Sequence, residues 1–290
     1  MRIALGKLLT QEAHQQATLF QARSTDVFVA TYPKSGTTWM QQIVHGLRSS
    51  GSMDFGEITE VVPWLEACSD LGQDPHAQQV GGFRAFKTHF SYDLVPKDAR
   101  YIYVVRDPKD VLLSFYRFFE GFMFEPGSIS LTDFAHTFFM SGSKSGKYWD
   151  HICSYWAIRQ QPNMLMLTFE SLKQNLAPAV EKVARFIGLQ PTPEQMERVL
   201  HQSSYGFMSA HGHHFDDHFL IQNRRVAAGL PEDAVASKVQ KGESGAAVKQ
   251  LPADLHALLD ARWKADIEAT IGFANYADLR AAIDATTESA

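Results

Sequence analysis

Four short apolar runs, at 26–31 (DVFVAT), 83–87 (FRAFK), 101–105 (YIYVV) and 164–169 (MLMLTF), dominate what this chain can fold into. Each is of strand length, and helix-prone stretches at 37–49, 109–122, 148–161 and 178–187 separate or follow them. Strands covered on both faces read as near-continuous apolar runs, and parallel strands need crossover helices between them. The pattern therefore predicts an α/β fold, a central parallel β-sheet flanked by helices. Further helices are expected near 193–200 and 252–271, and Gly188 suits the C-terminal cap of the fourth helix. Loop signals are densest at 121–130, 141–146 and 209–245. In open parallel sheets ligands bind beyond the carboxyl ends of the strands, so the residues after each run are the place to look for function.

The chain has 290 residues, 45% of them hydrophobic and 20% charged, enough for a sizeable core. That length alone allows two domains, but no repeat or linker-like tract divides it, so one domain over 1–290 is expected. With 27 basic against 32 acidic side chains the formal charge is −5, and no long Lys/Arg run exists. A nucleic-acid partner is disfavoured, because phosphate neutralisation needs a basic face. Cys68 and Cys153 stand in no disulfide or metal-ligand spacing. No continuous apolar run suggests a signal peptide or a membrane span, which leads to the expectation of a soluble, cytoplasmic protein with no membrane partner.

After the first run comes Tyr32-Pro33-Lys34-Ser35-Gly36-Thr37-Thr38-Trp39, then a helix-prone stretch. A strand, a tight turn with glycine and hydroxyl residues, and a helix N-terminus together aim backbone N–H groups and a positive dipole at one anion. In the nucleotide-triphosphatase version the lysine follows the second glycine. Here Lys34 precedes Gly36 and no first glycine exists, which argues against a β/γ-phosphate and Mg²⁺ arrangement. Trp39 offers either a face for a purine or helix-to-sheet packing.

The second run leads into Ala85-Phe86-Lys87-Thr88-His89-Phe90. Strand alternation puts Lys87 and His89 on one face at the carboxyl edge. An ammonium there can stabilise charge on a tetrahedral group, and a neutral imidazole can take a proton from an acceptor hydroxyl. The third run leads into Arg106-Asp107-Pro108, where Pro108 suits a first helical turn. Arg106 can offer a planar fork to a phosphate and Ser114 a hydroxyl, although a local Arg106–Asp107 ion pair explains the tripeptide equally well.

The segment from 20 to 39 closely resembles the 5′-phosphosulfate-binding segment of the cytosolic sulfotransferases, which use 3′-phosphoadenosine 5′-phosphosulfate (PAPS). The resemblance implies a P-loop-kinase-like sulfotransferase fold. It also implies that Lys34 contacts the bridging oxygen of the leaving group, Ser35, Gly36, Thr37 and Thr38 hold the 5′-phosphate, and Trp39 meets the adenine. AFKTHF resembles the family's Lys-Thr-His-Leu element, which makes His89 the general base and Lys87 its companion, with Phe90 in place of leucine. Arg106 and Ser114 fall in the family's 3′-phosphate stretch, and Ser203 and Tyr205 in the stretch flanking the adenine. Phe169-Glu170 resembles the family's Tyr-Glu pair without the phenol. Near the C-terminus Lys241 and Gly242 align with Arg-Lys-Gly-x-x-Gly, but Gln240 replaces the arginine. Losing that guanidinium should weaken 3′-phosphate binding by about 1.5–3 kcal/mol unless Lys238 or Arg225 substitutes. The mammalian-type dimer motif is absent, so no oligomeric state is expected from it.

Between 115 and 124 nearly every helix face is aromatic. Phe119 and Phe122, with Phe55, Trp64 and Phe90, are candidates for an apolar acceptor pocket. His211, His213, His214, Asp216, Asp217 and His218 superficially read as a metal site, yet so Gly-rich a segment assures no ligand register, and sulfuryl transfer needs no metal. A flap over the acceptor is expected instead, with His214 or Asp216 orienting a hydroxyl.

The leading expectation is thus a PAPS-dependent sulfotransferase acting on a hydroxyl of a small hydrophobic or aromatic acceptor, giving a sulfate ester and 3′-phosphoadenosine 5′-phosphate (PAP). The competing expectations are a small-molecule kinase with a degenerate P-loop and a non-catalytic nucleotide-binding module.

Overall fold

The computed structural model describes residues 6–120, 122–142, 145–232, 234, 236–239 and 245–288. Four strands form one wholly parallel sheet: β1 Val27–Thr31, β2 Ala85–Thr88, β3 Arg100–Val105 and β4 Met164–Thr168, in the order β2-β1-β3-β4. Each lies within two residues of the run that announces it. The register sets Val29 beside Lys87 on one side and Ile102 on the other.

Period-two alternation sorts the strand residues into two cores. Phe28, Ala30, Phe86, Tyr101, Tyr103 and Met166 face one layer; Val27, Val29, Ala85, Ile102, Val104 and Leu167 face the other. The principal helices are α1 Gln11–Thr18, α2 Thr37–Ser49, α3 Pro108–Phe119, α4 Tyr148–Trp156, α5 Leu176–Phe186, α6 Pro193–Gln202, α7 His218–Ala228, α8 Ala253–Trp263 and α9 Tyr276–Glu288. α3, α4 and α8 bury their apolar faces in the first layer, and α2, α5 and α6 in the second. Trp149, Tyr148 and Phe139, each under 2% exposed, pack edge-on or tilted in the first layer. Burial of an aromatic of this size stabilises the fold by roughly 1.5–3 kcal/mol.

Local chemistry places the helix starts. The Asp107 carboxylate accepts the Lys109 N–H at 2.8 Å with Pro108 in the first turn, and Thr192 with Gln195 closes a reciprocal cap on α6. The expected loop at 209–245 is corrected: it contains α7, whose buried Leu220, Ile221 and Ala228 are too few to write a periodic stripe. The helix expected over 252–271 is continuous only to Trp263, then passes through a π-turn at Lys264–Glu268. Among the described residues no helix is long and apolar enough to cross a membrane.

Candidate active site

The carboxyl ends of all four strands open into one cavity of about 730 Å³. From β1 the chain turns through Pro33–Gly36 with Lys34 at φ +71° and Gly36 at φ +102°, and α2 begins at once. Only glycine suits position 36, because a Cβ there would sit 2.9 Å from Cδ2 of Phe169 as well as in left-handed backbone. No side chain caps α2, so its first-turn N–H groups face the cavity with the positive end of the helix dipole. Thr31 Oγ1 and Thr37 Oγ1 share a buried hydrogen bond of 2.5 Å that ties the loop to its strand.

His89 follows β2. Its Nδ1–H donates to the Thr31 carbonyl at 2.8 Å, which leaves Nε2 as the acceptor nitrogen of the ring. Its backbone N–H donates to Glu66 Oε1 at 2.6 Å, and Trp64 meets the imidazole edge-on at 5.3 Å. Burial and then the neighbouring Lys87 hold the imidazole pKa well below its ordinary value, so the ring is neutral at pH 7. The Lys87 ammonium lies 4.1 Å over Trp64 and that of Lys34 3.9 Å over Phe118. Desolvation lowers Lys87 to about 8 and Lys34 to about 7.

Arg106 follows β3, donates from Nη1 to the Lys34 carbonyl at 3.1 Å and stacks 4.3 Å over Phe169. Because the Asp107 carboxylate caps α3, the neighbouring pair does not neutralise itself. The turn is held from behind: Tyr148 OH donates to the Arg106 carbonyl at 2.5 Å, and Glu170 accepts the Asp107 N–H at 3.3 Å and the Tyr276 hydroxyl. Arg106 Nε and Ser203 Oγ are buried without a hydrogen-bond partner. Orphaned donors, an uncapped helix start and three cations suit a ligand carrying several negative charges.

The cavity walls include Lys34, Gly36, Thr37, Thr38, Trp39, Lys87, His89, Arg106, Ser114, Ser203 and Tyr205, all expected at a nucleotide and transfer site, together with Phe119 and Phe122. The Trp39 indole N–H donates to the Ser203 carbonyl at 2.7 Å, and its ring meets Phe169 edge-on at 5.6 Å. Ser35, within the loop, is buried and does not reach the cavity wall. Four expected acceptor residues, Phe90, His214, Asp216 and Phe55, do not line the cavity. Phe90 is 1% exposed and packs against His14 in the core; His214 Nδ1–H donates to the Gly56 carbonyl; Asp216 is taken by His218 at 2.6 Å. Phe55 packs between His45 and His214. Lys241, Gly242 and Gln240 lie outside the described residues.

Lys238 and Asp217, by contrast, do line the cavity, paired with each other on the side of Lys87. No periodic signal announces them; the excess polarity of 209–245 is the single hint. The rings of His213 and His214 meet tilted at 3.9 Å, and His211 stacks on Phe207 at 4.0 Å. Among the described residues no group of three His, Cys, Asp or Glu is arranged to hold a metal ion.

A parallel sheet with an anion loop after β1, a second ammonium and a neutral imidazole after β2 and a guanidinium after β3 defines a nucleotide-dependent group-transfer enzyme. Residues 24–268 match the sulfotransferase domain family. Human sulfotransferase 1E1 is 32% identical over 196 residues, 64% of this chain and 67% of that protein. The luciferin sulfotransferase of Photinus pyralis is 29% identical over 65% of this chain, which spans 58% of that relative's length. Two solved structures share the fold: retinol dehydratase in complex with androsterone and the inactive cofactor PAP (TM-score 0.70, 19% identity, 90% of this chain and 87% of that one), and mouse sulfotransferase SULT7A1 complexed with PAP (0.69, 19%, 98% and 95%). The chain belongs to the sulfotransferase family. Its reaction is sulfuryl transfer from PAPS to a small-molecule acceptor.

Proposed function

We propose that His89 is the general base of this transfer and that the acceptor is a hydroxyl on a small hydrophobic or aromatic molecule. The observation that carries the assignment is the Nδ1–H bond to the Thr31 carbonyl, which presents Nε2 of a buried, neutral imidazole at the cavity wall. PAPS supplies the activated sulfuryl group. Nε2 of His89 takes the acceptor proton as the acceptor oxygen attacks sulfur, a contribution of about 10²–10⁴ in rate. Lys87 balances charge on the sulfuryl oxygens and Lys34 on the departing bridging oxygen. Ser35, Gly36, Thr37 and Thr38 hold the 5′-phosphate, Arg106 and Ser114 the 3′-phosphate, and Trp39, Ser203 and Tyr205 flank the adenine. Two free thiols, Cys68 and Cys153, fit a reducing compartment, and we place the enzyme in the cytoplasm.

The acceptor class follows from Trp64, Phe118, Phe119, Phe122 and Phe138, which give the cavity an aromatic wall. A panel of phenols, alcohols and amines with radiolabelled PAPS tests it; phenols should be labelled most rapidly, and labelling confined to amines would overturn the acceptor assignment. His89→Ala should lower turnover at least about a hundredfold while PAP still raises the melting temperature. Loss of both responses would mean that His89 supports the fold rather than the chemistry.

A further inference from the structure

Two carboxylates line the cavity, and they differ in what occupies them. Asp110 is spent: its two oxygens accept the N–H groups of Gly245 at 2.8 Å and Ala247 at 3.1 Å. Asp217 engages Lys238 through Oδ1, and no described residue donates to its Oδ2. The pair is built rather than incidental. Asp217 and Lys238 side chains are each 8% exposed, and Lys238 also reaches Glu57 at 3.9 Å. Glu57 is fully buried, accepts the Thr59 hydroxyl at 2.5 Å and takes the Phe219 N–H at 3.2 Å, locking the start of α7 to the segment before Ile58. Lone pairs of a carboxylate held in a largely aromatic cavity are costly unless a donor meets them.

We propose that Asp217 determines acceptor choice by accepting a hydrogen bond from a second hydroxyl of the acceptor, so that the preferred substrates are aromatic diols rather than monohydric phenols. This rests on the proposed aromatic hydroxyl acceptor. The neutral hydroxyl is favoured over an ammonium because the Asp217 carboxylate already has a cationic partner in Lys238, so its second oxygen needs a hydrogen-bond donor and not a second charge. A hydroxyl satisfies Oδ2 without displacing Lys238.

Binding to the protein–PAP complex, measured by calorimetry, tests the assignment without depending on turnover. Phenol is compared with catechol, resorcinol and hydroquinone, and 2-naphthol with matched naphthalenediols, on the wild type, on Asp217→Asn and on the double variant Asp217→Leu/Lys238→Leu, which removes both members of the pair. At least one diol in each set should bind about tenfold or more tighter than its monohydric partner, beyond the twofold statistical gain of two hydroxyls. That ratio should fall to about threefold or less in both variants. A wild-type ratio near two, or a large ratio that survives in Asp217→Asn, overturns the inference while leaving the aromatic acceptor standing. Failure of every phenol and diol to bind overturns both. An aminophenol that gains as much as the diol overturns the choice of a hydroxyl.

Discussion

Lys34 shows how much one side chain in the transfer loop reports. Desolvation holds its ammonium near pKa 7 in the free protein, and a bound polyanion favours the charged form. The complex then binds more protons than the free protein above pH 7, so nucleotide affinity should fall as pH rises from 7 to 9. Calorimetry of PAP binding at pH 8 in buffers of different ionisation enthalpy should show net proton uptake; proton release would contradict it. Gly36 makes a second residue-scale case. Gly36→Ala forces a Cβ into left-handed backbone at a cost of about 1–2 kcal/mol and drives against Phe169, the ring on which Arg106 stacks. PAP affinity should therefore drop more than the melting temperature alone suggests. Both positions are legible in the sequence because a strand-to-helix turn fixes its own geometry within five residues. Phe90 is not, since strand alternation ends at Thr88 and the chain then dives into the core. Nor is the difference between Asp216 and its neighbour Asp217, which depends on how an irregular segment enters α7.

Among the elements, α3 bears most of the consequences. Its start is written by Asp107 and Pro108, and Asp110 in the same first turn holds the amides of Gly245 and Ala247 at the start of the short helix Ala246–Gln250. Asp110→Ala should remove two charge-assisted hydrogen bonds, speed amide exchange at Gly245 and Ala247, and weaken PAP binding about tenfold or more. Unchanged exchange at those amides would show the contact to be dispensable. Strands and central helices are legible because burial on two faces leaves an unbroken apolar run and one-sided burial leaves a stripe. α7 is hidden because it buries only three residues and is stabilised at its N-terminal end by Glu57, 162 positions away from Phe219. Long-range capping of that kind leaves no local trace.

Taken as a whole, the molecule keeps several histidines neutral in its interior. His45 is lowered to about 4 by burial and then Arg48, and His151 to about 3 by burial. An imidazole whose folded pKa lies below its unfolded value stabilises the fold fully above pH 6.5 and loses that contribution as pH falls toward the folded value. For His45 alone the loss reaches about 2 kcal/mol by pH 5. Asp107, raised by burial to about 6, works in the opposite direction, since acid relieves its desolvation. A difference measurement separates them: His45→Leu should flatten the fall in melting temperature between pH 6.5 and 5 relative to wild type, and an unchanged slope would contradict the assignment.

The parallel order β2-β1-β3-β4 sends four strand ends into one cavity, but the walls have different parentage. The proposed donor half rests on strand ends and the start of α2, whose backbone is fixed by the sheet. The proposed acceptor half is assembled from Leu8, Trp64, the end of α3 and the entry to α7, pieces that the sheet does not template. Evolution can therefore edit these two halves at different rates. Drift in the connecting segments retargets the enzyme to new hydroxyl compounds while an inherited donor module goes on delivering the same sulfuryl group.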